Sequence, residues 1–210
     1  MDDYFCRPEV SNSDLTWLKN ELYPSEMPDP EYAFSFGNLL DAMVTEPEKV
    51  DHFNFTCGDD QFTQEEFEKA RQMKKAFMKD ELCQRIFKAS EFQKVMAMPS
   101  MKFDYDVPFS LPVRCKWDFW MPSVQYGADL KSTVATTQKQ FEDAARYFDY
   151  DRQRFFYMNI ARAKQDLLIG ISKENFHVFK IPIRQGDDFW KAGREKALEL
   201  AFRYFLLIHS

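Results

Sequence analysis

Asp118 and the octapeptide Tyr126-Gly127-Ala128-Asp129-Leu130-Lys131-Ser132-Thr133 contain the residues whose types and spacing could do chemistry. Side chains at i and i+2 of a strand share a face, so Asp129 and Lys131 would stand side by side. Asp118 lies eleven residues before Asp129. If its segment neighbours the octapeptide in a sheet, two carboxylates meet. Such a pair repels, and one pKa rises unless a positive charge lies between them. A divalent cation is the common solution, and hard oxygen ligands suit magnesium. Lys131 would then stand beside a phosphate, placed to orient or help deprotonate a nucleophile and to stabilise charge in the transition state. In outline this is a site for metal-assisted phosphodiester hydrolysis. Taken alone, the three residues favour an ordinary surface ion pair, which contributes only about 0–1 kcal/mol.

The elements that must position these residues follow from periodicity. From Lys102 the chain alternates, is rich in Phe, Tyr, Trp and Val, and is punctuated by prolines and a glycine, which predicts antiparallel strands near 102–107, 113–121 and 125–132. Helical spacing returns afterwards as two helices meeting near Asp149. "DLLIGIS" and "FHVFKIPI" read as two more strands, and a final helix over 187–207 turns Gly193, Ala197, Leu200, Ala201 and Tyr204 inward.

Upstream, "SNSDLTWLKNEL" at 11–22 opens on capping residues and continues with leucines at helical spacing. A proline-rich loop is expected at 23–32, then a helix through Leu39, Leu40, Met43 and Val44 that stops near Pro47. Residues 51–62 look irregular. Thr63 and Glu66 form a capping box for a long helix running to about 96 with breaks, which turns Phe67, Ala70, Met73, Phe77, Leu82 and Ile86 inward. The order of elements predicts an α/β (α+β) fold, a central mixed sheet flanked by helices. The chain reads as one domain over 1–210, mainly helical over 1–98, with the sheet and its flanking helices over 99–210.

With 210 residues, 45% hydrophobic and 17% aromatic, the chain can bury a substantial core. No apolar run reaches the length of a membrane span, and "MDDYFCRPEV" is acidic where a secretory signal would be basic, so a cytoplasmic protein is expected. Cys6, Cys57, Cys83 and Cys115 form no close pair, which argues against a zinc ribbon or redox motif and for reduced structural thiols. A net charge of −6 argues against broad capture of nucleic acid, though a local basic groove remains compatible with it.

Gln153 and Tyr157 stand at i and i+4 of the helix that comes after the Asp129 strand. Together, Asp118, "GADLKST" and "YDRQRFFY" resemble the PD-(D/E)XK nuclease superfamily in its RecB/RecE-like branch, with its QxxxY motif. "SNSDLTWLK" and "FSFGNLLDAMVTEPEKVDHF" are similar to the opening of the RecE-like, phage-type exonucleases, so the resemblance covers about residues 10–165.

The resemblance implies a restriction-endonuclease-like core. It also implies that Asp118 and Asp129 bind the metal, aided by the Leu130 carbonyl, that Lys131 is the catalytic lysine, and that Gln153 and Tyr157 support the site and position the DNA backbone. The metal-ligating histidine of the family falls on Asp41, which is retained as a third ligand; an exposed helix aspartate is nearly as good a description. Trp117 stands for the proline of the family name and Asp129 for the more frequent glutamate.

The implied activity is Mg2+-dependent exonucleolytic hydrolysis at linear duplex DNA ends, with Mn2+ able to substitute. A homo-oligomer and a single-strand annealing partner in phage or prophage recombination are implied with it. No cysteine comes after Cys115, which argues against an iron–sulfur cluster. Two alternatives stay open: a cluster-free single-strand or structure-specific nuclease, and a DNA-binding or assembly component without catalysis. Arg146, Arg152, Arg154, Arg162 and Lys164 could line a DNA groove or form a charge-balanced solvent face. Phe148, Phe155 and Phe156 read as core, and His52, His177 and His209 as ordinary histidines.

Overall fold

The computed structural model describes residues 3–24 and 31–209. Helix α1 (Asn12–Leu22) starts on a capping box, with Ser11 accepting from the Asp14 amide and the Asp14 carboxylate accepting from the Ser11 amide. Most of the expected loop at 23–32 lies outside the described residues, and α2 (Glu31–Thr45) comes after it. The segment expected to be irregular forms a small antiparallel meander of β1 (Val50–Asp51), β2 (Thr56–Cys57) and β3 (Asp60–Gln61). Thr63 and Glu66 cap α3 (Gln64–Lys79), and Asp80 then accepts from the Leu82 and Cys83 amides to start α4 (Glu81–Ala89).

The helical stretch therefore ends at Ala89 rather than near 96. Leu82 is exposed and Cys83 faces the core in its place, beside Ile86, which is buried as expected. Strand β4 (Glu91–Tyr105) begins at once and pairs antiparallel with β5 (Val107–Met121), from Glu91↔Trp120 to Tyr105↔Val107. A register shift between Met98 and Met101 absorbs Pro99.

Next come β6 (Tyr126–Thr133), α5 (Gln138–Tyr147), α6 (Tyr150–Ala161), β7 (Gln165–Ser172), β8 (Val178–Arg184) and α7 (Asp188–His209). The large sheet has the order β4-β5-β6-β7-β8 and is mixed, since β6 and β7 run parallel over eight residue pairs. One face packs Trp117, Phe141, Phe156, Leu168 and Ala197, under α5, α6 and α7. The other packs Phe119, Ala128, Leu130, Ile169 and the apolar faces of α2 and α3. Phe148, expected in the core, is exposed at the end of α5, and Tyr204 is only partly buried.

Two irregularities of β5 shape the surroundings of Asp118. The strand pairs with β6 only at Phe119↔Ala128, Trp120↔Gly127 and Met121↔Tyr126, after which the two part. Beyond that point Val10 takes the released edge, donating to the Pro112 carbonyl at 2.8 Å and accepting from the Arg114 amide at 2.9 Å. In addition, Trp117 and Phe119 would share a face in a regular strand but lie in opposite cores. β5 turns over at Asp118, and Gln93, opposite this point on β4, has a left-handed φ of 51°.

Candidate active site

Asp118 sits one residue beyond the last β5–β6 pair, and its Oδ2 accepts the Leu130 N–H at 2.7 Å. Burial pushes its carboxyl well above the ordinary value, and the charges of Asp129 and Asp41 push it further. Asp129 is only 2% exposed, and each of its oxygens meets a cation. Oδ1 accepts from Arg154 Nη2 at 2.9 Å, while Oδ2 pairs with Lys131 Nζ. Burial opposes ionisation of Asp129, but Arg154 and Lys131 outweigh it and hold its pKa down. Burial likewise disfavours the Lys131 ammonium, and Asp129 and Asp118 reverse that and hold its pKa up. The Tyr150 ring lies 5.1 Å from Lys131 Nζ.

Gly127 makes this arrangement possible sterically. A Cβ there would stand 1.9 Å from the Trp117 ring, so the glycine gives Trp117 its place beneath β6.

Asp41, on α2, faces the same group of charges. Its Oδ2 accepts from Gln93 Nε2 at 2.9 Å and Thr45 Oγ1 lies 3.4 Å from its Oδ1. Burial raises its pKa to about 6, with the Gln93 hydrogen bond opposing and the Asp129 charge adding. Leu130 contributes its amide, which is the donor to Asp118. On α6, Gln153 keeps a buried Oε1 with no hydrogen-bond partner among the described residues. Tyr157 is buried, edge-on to Trp117 at 5.4 Å, with its ring 4.5 Å from the Arg154 guanidinium carbon.

The structure thus brings Asp118, Asp129, Lys131 and Asp41 into one electrostatic group and sets Tyr157 behind it. Two of the five cations read as lining a DNA groove or forming a charged solvent face do neither. Arg154 is fully buried, with Nη1 on Asp166 Oδ2 at 3.3 Å, and Arg152 is 1% exposed and bonded to Asn12 Oδ1 at 3.0 Å. Their helix is covered by α1 and α7, so positions that read as a charged face are interior. Arg146, Arg162 and Lys164 are exposed.

Arg154 and Asp166 are the site residues that sequence reasoning missed. The available signals were the i+4 and i+7 spacing of Arg154 and Tyr157 from Tyr150 and the lone carboxylate in the apolar strand "QDLLIGIS".

Hard oxygen donors, mutually repelling and buried, have the chemistry that suits a divalent cation. Among the described residues, however, no three His, Cys, Asp or Glu side chains form a ready cage. The carboxylates are held by Leu130, Gln93, Arg154 and Lys131 instead. The donor set fits the ion, and closing on it requires Lys131 to yield Asp129 Oδ2. All four cysteines are free, and among the described residues no helix is long and apolar enough to cross a membrane.

Residues 16–206 match the model of a family described as a PDDEXK-like domain of unknown function (DUF3799). Among solved structures, a Eubacterium rectale protein named for a proposed exonuclease activity aligns over 94% of this chain and 80% of its own, with 16% identity and a TM-score of 0.62. That likeness shows the fold. A phage-related exonuclease from Haemophilus somnus 129PT aligns over 93% and 82%, with 11% identity and a TM-score of 0.44. No curated protein matches the chain.

Proposed function

Because the chain belongs to this PDDEXK-like family, we propose that it is a metal-dependent deoxyribonuclease of the RecE type, hydrolysing phosphodiester bonds from linear duplex ends. The observation that carries the reading is the meeting of Asp118, Asp129 and Lys131 where β5 and β6 part. Asp118 and Asp129, with Asp41 and the Leu130 carbonyl, would hold Mg2+ or Mn2+. Such a cation supplies positive charge to the phosphate as its negative charge builds.

The chain's own residues do the rest. Lys131, with 21% of its side chain exposed, can reach a phosphate oxygen and neutralise it. Gln153 offers an acceptor, and Tyr157 holds the wall behind Asp129. A homo-oligomer around DNA and an annealing partner in phage or prophage recombination complete the proposal.

The test is digestion of linear duplex with Mg2+: Asp118→Asn, which keeps the acceptor for the Leu130 amide, and Lys131→Ala should lose it while remaining folded. A wild type that leaves linear, nicked and single-stranded DNA intact with both Mg2+ and Mn2+ defeats the reading. One observation favours the alternative of a non-hydrolytic DNA-binding component, namely that both Asp129 oxygens are already paired with cations. Calorimetry decides between them, since that alternative expects no Mg2+ site.

A further inference from the structure

The two cations on Asp129 differ in kind. Lys131 reaches Oδ2 on a flexible, partly exposed side chain. Arg154 reaches Oδ1 from a position with no exposure, and both Nη groups of its guanidinium are engaged by carboxylates. Nη2 meets Asp129 at 2.9 Å and Nη1 meets Asp166 at 3.3 Å. The guanidinium also lies over the adjoining Tyr157 and Trp117 rings, with its carbon 4.5 and 5.1 Å from the ring centroids. Asp166 is itself fixed, because its Oδ1 accepts the Leu167 amide at 2.7 Å. This fork is planar and two-pronged, a geometry lysine cannot reproduce. Four elements, β5, β6, α6 and β7, meet on the one side chain.

We propose that Arg154, braced by Asp166, is the positioning residue of the site. It fixes the Asp129 carboxylate so that Oδ1 is permanently committed inward and Oδ2 alone is offered to a cation. Lys131 is the exchangeable occupant of Oδ2, and Arg154 is the permanent occupant of Oδ1. The inference rests on the metal-dependent reading above and adds a division of labour to it: Asp129 ligates through a single oxygen, set by a residue that touches neither cation nor DNA. Residues that orient a metal ligand in this way typically govern 10–100-fold in metal affinity.

The experiment is a Mn2+ titration of the purified full chain followed by electron paramagnetic resonance, with thermal melts and duplex digestion run alongside. Arg154→Lys keeps the charge and loses the fork, so Mn2+ affinity should fall about 10–100-fold. Lys131→Ala removes the competitor for Oδ2, so Mn2+ should bind at least as tightly as in wild type although digestion is lost. Asp166→Asn keeps an acceptor for the guanidinium and should weaken Mn2+ less than Arg154→Lys. If Arg154→Lys does not fold, Asp166→Leu, which removes the brace alone, should give the 10–100-fold loss.

The proposal is overturned if the folded fork variant binds Mn2+ as wild type does, or if Lys131→Ala weakens Mn2+ as much as the fork variant. It is also overturned if wild type binds no Mn2+. If wild type binds Mn2+ and the fork variant loses it while wild type cleaves no DNA, the nuclease reading fails and the role of Arg154 stands.

Discussion

The Asp118 carboxylate takes the Leu130 N–H at 2.7 Å, at the point where β5 and β6 stop pairing. A side chain thus completes a ladder that the backbone leaves open. The same carboxylate is crowded by Asp129 and Asp41, so structure and function make opposite demands on it.

That opposition predicts the behaviour of Asp118→Asn. The amide oxygen can still accept from Leu130, and the repulsion disappears. Melting temperature should stay at or above the wild-type value, while duplex digestion falls at least about 100-fold. A melt lowered by many degrees would mean that the charge itself holds the strands.

Asp41→Asn separates a ligand from a bystander. The asparagine oxygen can keep the Gln93 hydrogen bond seen at 2.9 Å, so stability should change by under about 1 kcal/mol. If Asp41 contributes a ligand charge, the Mg2+ concentration for half-maximal digestion rises about tenfold or more. An unchanged Mg2+ dependence removes Asp41 from the site.

Gly127→Ala places a Cβ 1.9 Å from the Trp117 ring. Trp117 is fully buried and lies against Arg154, so the ring has no free space to enter. Urea unfolding should show a loss of about 3 kcal/mol. A loss below about 0.5 kcal/mol would show that β6 shifts easily.

Asp149 gives a pH test away from the site. It has φ 56° between α5 and α6 and pairs with Lys19 at 2.6 Å and Lys196 at 2.8 Å. Burial opposes its charge, but these lysines outweigh burial and hold its folded pKa below the ordinary value. The stabilisation is therefore present above the unfolded pKa of about 3.9 and lost as pH falls through the folded value. Asp149→Asn, which suits the left-handed backbone, should cost about 1.5–3 kcal/mol at pH 7. The gap should close below about pH 4. A gap independent of pH would assign the cost to packing.

Much of this was legible in the sequence because it comes from period. Asp129 and Lys131 share a face by strand alternation, and the capping boxes at Ser11 and Thr63 are local. The first half of β4 was not legible. "EFQKVMAM" is built from residues that also favour helices, and pairing with β5, through contacts distant in sequence, decides its state. Arg154 was obscured for a related reason. A charge on a helix reads as solvent-facing until α1 and α7 are known to cover that helix, and no local pattern announces the cover. The reason for Gly127 is the Trp117 ring, ten residues away on the neighbouring strand, which no local pattern announces.

The parting of β5 from β6 also leaves part of β5 with amides and carbonyls that no strand of the sheet takes, and Val10 takes two of them. Arg114, bonded to the Arg7 carbonyl at 2.9 Å and 5.0 Å from the Tyr4 ring, ties the same segment down. An exposed strand edge is a template for another chain. The leading segment thus keeps β5 edges from pairing with one another between copies: a chain lacking residues 3–10 should elute on gel filtration at a larger size than the wild type, whatever the wild type's own oligomeric state.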